Sequence, residues 1–127
     1  MAKRILAIED DGLILELYRV LLQDAGYQVH SSKIIIEDMH EIERLTPSLV
    51  ILDLRIDGNL GSLDFIHKMR AYGPTLPIPI IVCTAAIQEV KKQEEALQQE
   101  NIPIIHKPFD VDELLTTIQT KLSISGK

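Results

Sequence analysis

Short apolar runs that alternate with longer stretches of helical period most constrain how this chain can fold. Ile5-Leu6-Ala7-Ile8 runs into Glu9-Asp10-Asp11, Leu49-Val50-Ile51-Leu52 into Asp53, and Ile80-Ile81-Val82-Cys83 into Thr84. The segment from Ile102 to His106 runs into Lys107-Pro108. This alternation is the βαβ pattern of a parallel sheet. Strands are expected near 4–8, 27–31, 48–53, 79–83 and 102–106, and helices near 12–25, 35–45, 62–72, 87–100 and 110–123. Three of the strands are almost pure Ile, Leu and Val, as suits strands covered on both faces.

Boundary residues agree with that division. Gly26 stands as a stop after the first helix. Thr46-Pro47 ends the second, because proline disfavours helical backbone in the residue before it. Asp110-Val111-Asp112-Glu113 resembles a capping box. It opens a last helix with an apolar stripe at 111, 114, 115, 118 and 122.

The 127 residues are expected to make a single domain, 1–127. A domain of this size buries roughly two thirds of its unfolded surface, so it needs no staple. Net charge is −6, which disfavours nucleic acid and anionic membranes as direct partners. Cys83 is the only cysteine and is expected to be a small core residue. With no signal peptide and no run approaching the ~20 residues of a membrane span, a cytoplasmic location is expected.

If the runs are parallel strands, their carboxyl ends share one edge, where open α/β sheets bind ligands. That edge would carry Glu9, Asp10, Asp11, Asp53, Thr84 and Lys107. Two carboxylates ~5 Å apart repel by roughly 3 kcal/mol at an effective dielectric of about 20. A cation removes that repulsion, and hard oxygen ligands favour Mg²⁺, with Mn²⁺ as a substitute. Asp11 is expected to cap the first helix instead, and Asp10 to face the metal. A carboxylate beside a metal can attack phosphorus and form an acyl phosphate. The new charge then needs neighbours such as the Lys107 ammonium and the Thr84 hydroxyl.

These motifs resemble the receiver domain of two-component response regulators over essentially the whole chain. The resemblance rests on residues 5–11, 47–53, 81–85 and Lys107-Pro108-Phe109. It implies a flavodoxin-like (βα)5 fold with strand order 2-1-3-4-5 and helices on both faces. It implies Mg²⁺-dependent phosphorylation of Asp53 by a histidine kinase or a histidine phosphotransfer protein. It maps Glu9 and Asp10 onto the family's acid pair, Asp10 and Asp53 onto metal ligands, and the Arg55 backbone carbonyl onto a third. Thr84 and Lys107 map onto the hydroxyl and lysine that hold the phosphoryl group. A cis Lys107–Pro108 bond is implied as well.

The sequence departs from the family in three places. Asp57 stands where proline is usual, and a one-residue insertion then fits the start of the third helix, so a longer loop is expected. Ile104 replaces an aromatic residue that moves inward after the threonine, which puts the usual switch through Thr84 and residue 104 in doubt. Arg55 occupies the position that tunes hydrolysis of the phosphoryl group.

The first helix carries more apolar residues than one buried face holds. Ile14, Leu17 and Pro108 are expected to form a docking patch for the phosphodonor. The four histidines show no metal-ligand spacing. With no output domain expected, the phosphorylated form would bind an unknown downstream protein. Chemistry is expected to stop at self-phosphorylation and self-dephosphorylation. The alternative is a phosphatase of the haloacid dehalogenase type. It needs a second acid two residues after the nucleophile, where Arg55 stands. A flavin carrier would need a first loop without three acids.

Overall fold

The structure is a computed structural model that describes residues 2–56 and 61–125. Five parallel strands form one sheet: β1 (Arg4–Ile8), β2 (Gln28–Ser32), β3 (Leu49–Leu52), β4 (Ile80–Thr84) and β5 (Ile104–His106). Their order is β2-β1-β3-β4-β5, as expected. Five helices alternate with them: α1 (Gly12–Asp24), α2 (Met39–Leu45), α3 (Gly61–Ala71), α4 (Ile87–Gln99) and α5 (Val111–Ser125).

Strand side chains alternate between faces, and two cores result. Ile5, Ala7, Leu49, Ile51, Ile81, Cys83 and Ile105 pack with Leu15, Tyr18 and Leu22 of α1 and Leu114, Ile118 and Leu122 of α5. Leu6, Ile8, Val50, Leu52, Ile80 and Val82 pack on the other face with α2, α3 and α4. Cys83 is buried, and burial pushes its thiol pKa up.

Helix starts follow their acids. Asp11 accepts the Leu13 N–H at 2.9 Å and opens α1. Asp110 accepts the N–H groups of Asp112 at 2.8 Å and Glu113 at 3.2 Å, the forward half of the expected box. Gly26, at φ +96°, adopts the left-handed backbone that lets the chain turn into β2.

Three expectations need correction. The second helix begins at Met39 rather than near residue 35. Ile34-Ile35-Ile36 is β-branched and loses side-chain freedom in a helix, whereas Asp38 caps one by accepting the His40 N–H at 2.9 Å. Thr46 does leave the right-handed helical region, but into left-handed backbone at φ 47°, ψ 52°, with its N–H on the Glu43 carbonyl. Val111 is 39% exposed, since α5 meets the sheet only from Leu114 onward.

Candidate functional site

Four strand ends meet at one edge. Ile8 pairs in register with Leu52, and Thr84 with His106. The next residue in three of these strands is Glu9, Asp53 or Lys107. The Asp53 N–H donates to the Ile8 carbonyl at 3.1 Å, and the Lys107 N–H to the Thr84 carbonyl at 3.0 Å. The ladder therefore continues one residue past the strands and fixes where these side chains begin.

Asp53 is the centre of the cluster and is buried. Its Oδ1 accepts the Thr84 hydroxyl at 2.7 Å and the Arg55 N–H at 3.2 Å. Its Oδ2 accepts the Lys107 ammonium at 2.9 Å. Lys107 Nζ also donates to Glu9 Oε1, and Glu9 Oε2 accepts the Asp11 N–H at 3.2 Å. One cation thus bridges two buried acids. Burial pushes the Glu9 carboxyl up to about 7. The Lys107 hydrogen bond pulls the other way, and the Asp53 charge adds to the rise. Burial works against the charge on Lys107. Its bonds to Glu9 and Asp53 outweigh that and hold its pKa above the ordinary lysine value.

Asp10 completes a group of three. Oxygens of Glu9, Asp10 and Asp53 all lie within 4.8 Å of one another. Three carboxylates against one ammonium leave an excess of negative charge. That donor set fits a hard divalent cation with room for further oxygen ligands. A cleft of about 240 Å³, lined by Asp53, Arg55, Thr84, Ala85 and Ala86, opens beside the carboxylate. The alanines keep it wide enough for an incoming group.

Thr84 has two roles. While donating to Asp53, its oxygen accepts the Ala86 N–H at 3.1 Å. Ala86 precedes α4 and has no side-chain cap of its own, so Thr84 supports the start of α4 while it also serves the site. The Lys107–Pro108 bond is cis, as the resemblance implied. The next residue, Phe109, stacks on Tyr18 of α1 at 5.7 Å between ring centroids.

The other named residues are dispersed. Ile104 is half-buried against the α2–α3–α4 core. Leu17 and Pro108 are exposed, whereas Ile14 is half-buried against the opposite core. The most exposed apolar residue of α1 is Leu13, at 82%. Asp57 lies outside the described residues. All four histidines are exposed. Sequence reasoning missed Ser62, which is buried with its Oγ 2.5 Å from the Asp53 carbonyl oxygen. Nothing in the sequence singles it out from the other serines.

The model of the response regulator receiver domain matches residues 5–119. The chain belongs to this family. It is a receiver built for phosphoacceptance in two-component signalling, and the match lends no support to the dehalogenase-type phosphatase. The phosphate regulon transcriptional regulatory protein PhoB of Klebsiella pneumoniae is 29% identical over 119 residues, 94% of this chain and 51% of that protein. The receiver thus spans about half the length of the curated relatives it matches. Among solved structures, Vibrio cholerae chemotaxis protein CheY4 superposes with a TM-score of 0.79 at 26% identity, covering 96% of this chain and 100% of that one. The receiver domain of sensor histidine kinase PA1611 from Pseudomonas aeruginosa PAO1 gives 0.80 at 25% identity, covering 97% and 99%. That structure is described with a magnesium ion coordinated in its active site cleft. No helix among the described residues is long and apolar enough to cross a membrane.

Proposed function

We propose that Asp53 is the phosphoacceptor of this receiver. A carboxylate oxygen of Asp53 attacks the phosphorus of a phosphohistidine, or of a small donor such as acetyl phosphate. The bond from phosphorus to the donor breaks, and the donor leaves with that electron pair. The product is an acyl phosphate on Asp53. The observation that carries this reading is the convergence of Thr84 Oγ1 and Lys107 Nζ on the two oxygens of one buried carboxylate. Both groups are donors, and both can turn to the new phosphoryl oxygens as negative charge moves outward.

Glu9, Asp10 and Asp53, with the backbone carbonyl of Arg55, would hold Mg²⁺ or Mn²⁺. The bound ion would offset charge on the phosphoryl oxygens. Arg55 lines the cleft and can face the same oxygens. Arg55 stands where a phosphatase of that type needs an acid two residues after its nucleophile, which argues against turnover of phosphate esters. The partners are a histidine kinase or histidine phosphotransfer protein as donor, and a protein that reads the phosphorylated state.

The test is intact mass after exposure to acetyl phosphate, with and without Mg²⁺, for wild type and Asp53→Asn. One added phosphoryl group is expected in wild type with Mg²⁺ only. An equal gain in Asp53→Asn would move the acceptor elsewhere.

A further inference from the structure

We infer that Ser62 is a positioning residue for phosphoryl transfer to Asp53, acting through the main-chain carbonyl of that residue. The inference rests on Asp53 being the acceptor. Ser62 lies in the first turn of α3 and is fully buried. A serine at a helix start commonly serves its own helix by accepting a first-turn N–H. This hydroxyl instead donates to the Asp53 carbonyl oxygen at 2.5 Å, at the short limit for an O–H···O bond.

The consequence lies in which bonds survive the reaction. The carboxylate of Asp53 is held by Thr84, Arg55 and Lys107, all of them on its side-chain oxygens. When one of those oxygens bonds phosphorus, these donors must share or change partners. The main chain of Asp53 is gripped separately, by the Ile8 carbonyl on its N–H and by Ser62 on its C=O. Those two bonds use no side-chain oxygen of Asp53, so they persist from free carboxylate to acyl phosphate. They fix the Cα from which the attacking oxygen is aimed. The Ser62 bond also joins α3 to the end of β3, across nine residues of chain. Misplacing a reacting group by about 1 Å can cost a hundredfold in rate, so this anchor bears directly on transfer.

The experiment follows the rate of Asp53 labelling by acetyl phosphate with Mg²⁺ in Ser62→Ala and Ser62→Cys. Alanine removes the hydroxyl and leaves a void. Cysteine fills the space but donates only weakly. The maximal rate is expected to fall about tenfold in both variants, with the half-saturating acetyl phosphate concentration unchanged. Thermal unfolding is followed in parallel. A wild-type rate in Ser62→Cys would overturn the inference and leave Ser62 as packing alone. So would a loss of rate confined to Ser62→Ala and matched by its loss of stability. Failure of wild type to label at all, or labelling of Asp53→Asn, would instead overturn the acceptor reading beneath it.

Discussion

Lys107 is the residue on which the site's charge balance turns. Its ammonium touches both Glu9 and Asp53, and all three side chains are largely buried. Replacing it with methionine keeps the apolar stem and leaves two acids facing each other out of water. Removing one partner of a buried pair costs about 3–5 kcal/mol. Ser62→Cys should cost far less, because no charge is stranded. Lys107→Met should therefore unfold at clearly lower urea, and Mg²⁺ should raise its midpoint more than that of wild type. Equal shifts with Mg²⁺ would mean that the ion does not relieve the acids. Asp53, Thr84 and Lys107 were legible because each ends an apolar run and carries a rare polar group there. Ser62 was not, because its partner is a carbonyl, and every residue has one.

The five elements of each kind were readable for the same reason that they are stable. Strands covered on both faces must be apolar throughout, so β1, β3 and β4 stand out against the polar stretches between them. The edge strand β2, largely exposed, was found from its place in the alternation more than from its residues. The start of α2 was misjudged because Ile34-Ile35-Ile36 looks like the apolar face of a helix, whereas a loop packs Ile35 and Ile36 against the core. That leaves α2 seven residues long with Ile42 as its buried anchor. Ile42→Ala should cost about 2–5 kcal/mol, and hydrogen exchange should show protection lost in α2 before any other helix. Uniform loss across the helices would refute local anchoring of α2 by that one side chain.

The whole molecule presents different surfaces on its two faces. Beside the acidic edge, α1 exposes Leu13, Leu17 and Val20, at 82%, 40% and 50%, in a stripe along the helix. Pro108, also exposed, precedes Phe109, which stacks on Tyr18 of the same helix. The loop that carries the site's lysine is therefore tied to α1 through that helix's buried face, and a donor protein that covered the exposed stripe would lie on the same helix that begins beside the acids. Ile14 turns partly inward and Leu13 is the more exposed, so Leu13 would be the stronger anchor of such a patch. A small donor has no need of this surface, since it reaches the carboxylate through the cleft alone. Leu13→Glu with Leu17→Glu should then leave labelling by acetyl phosphate unchanged. Transfer from a histidine phosphotransfer domain that labels wild type should slow at least tenfold, about 1.4 kcal/mol of lost docking. Both side chains are exposed, so the fold should survive the change. If the two donors slow together, the charges act on the site itself. If neither slows, the donor docks on another face, and the stripe belongs to whatever protein reads the phosphorylated form.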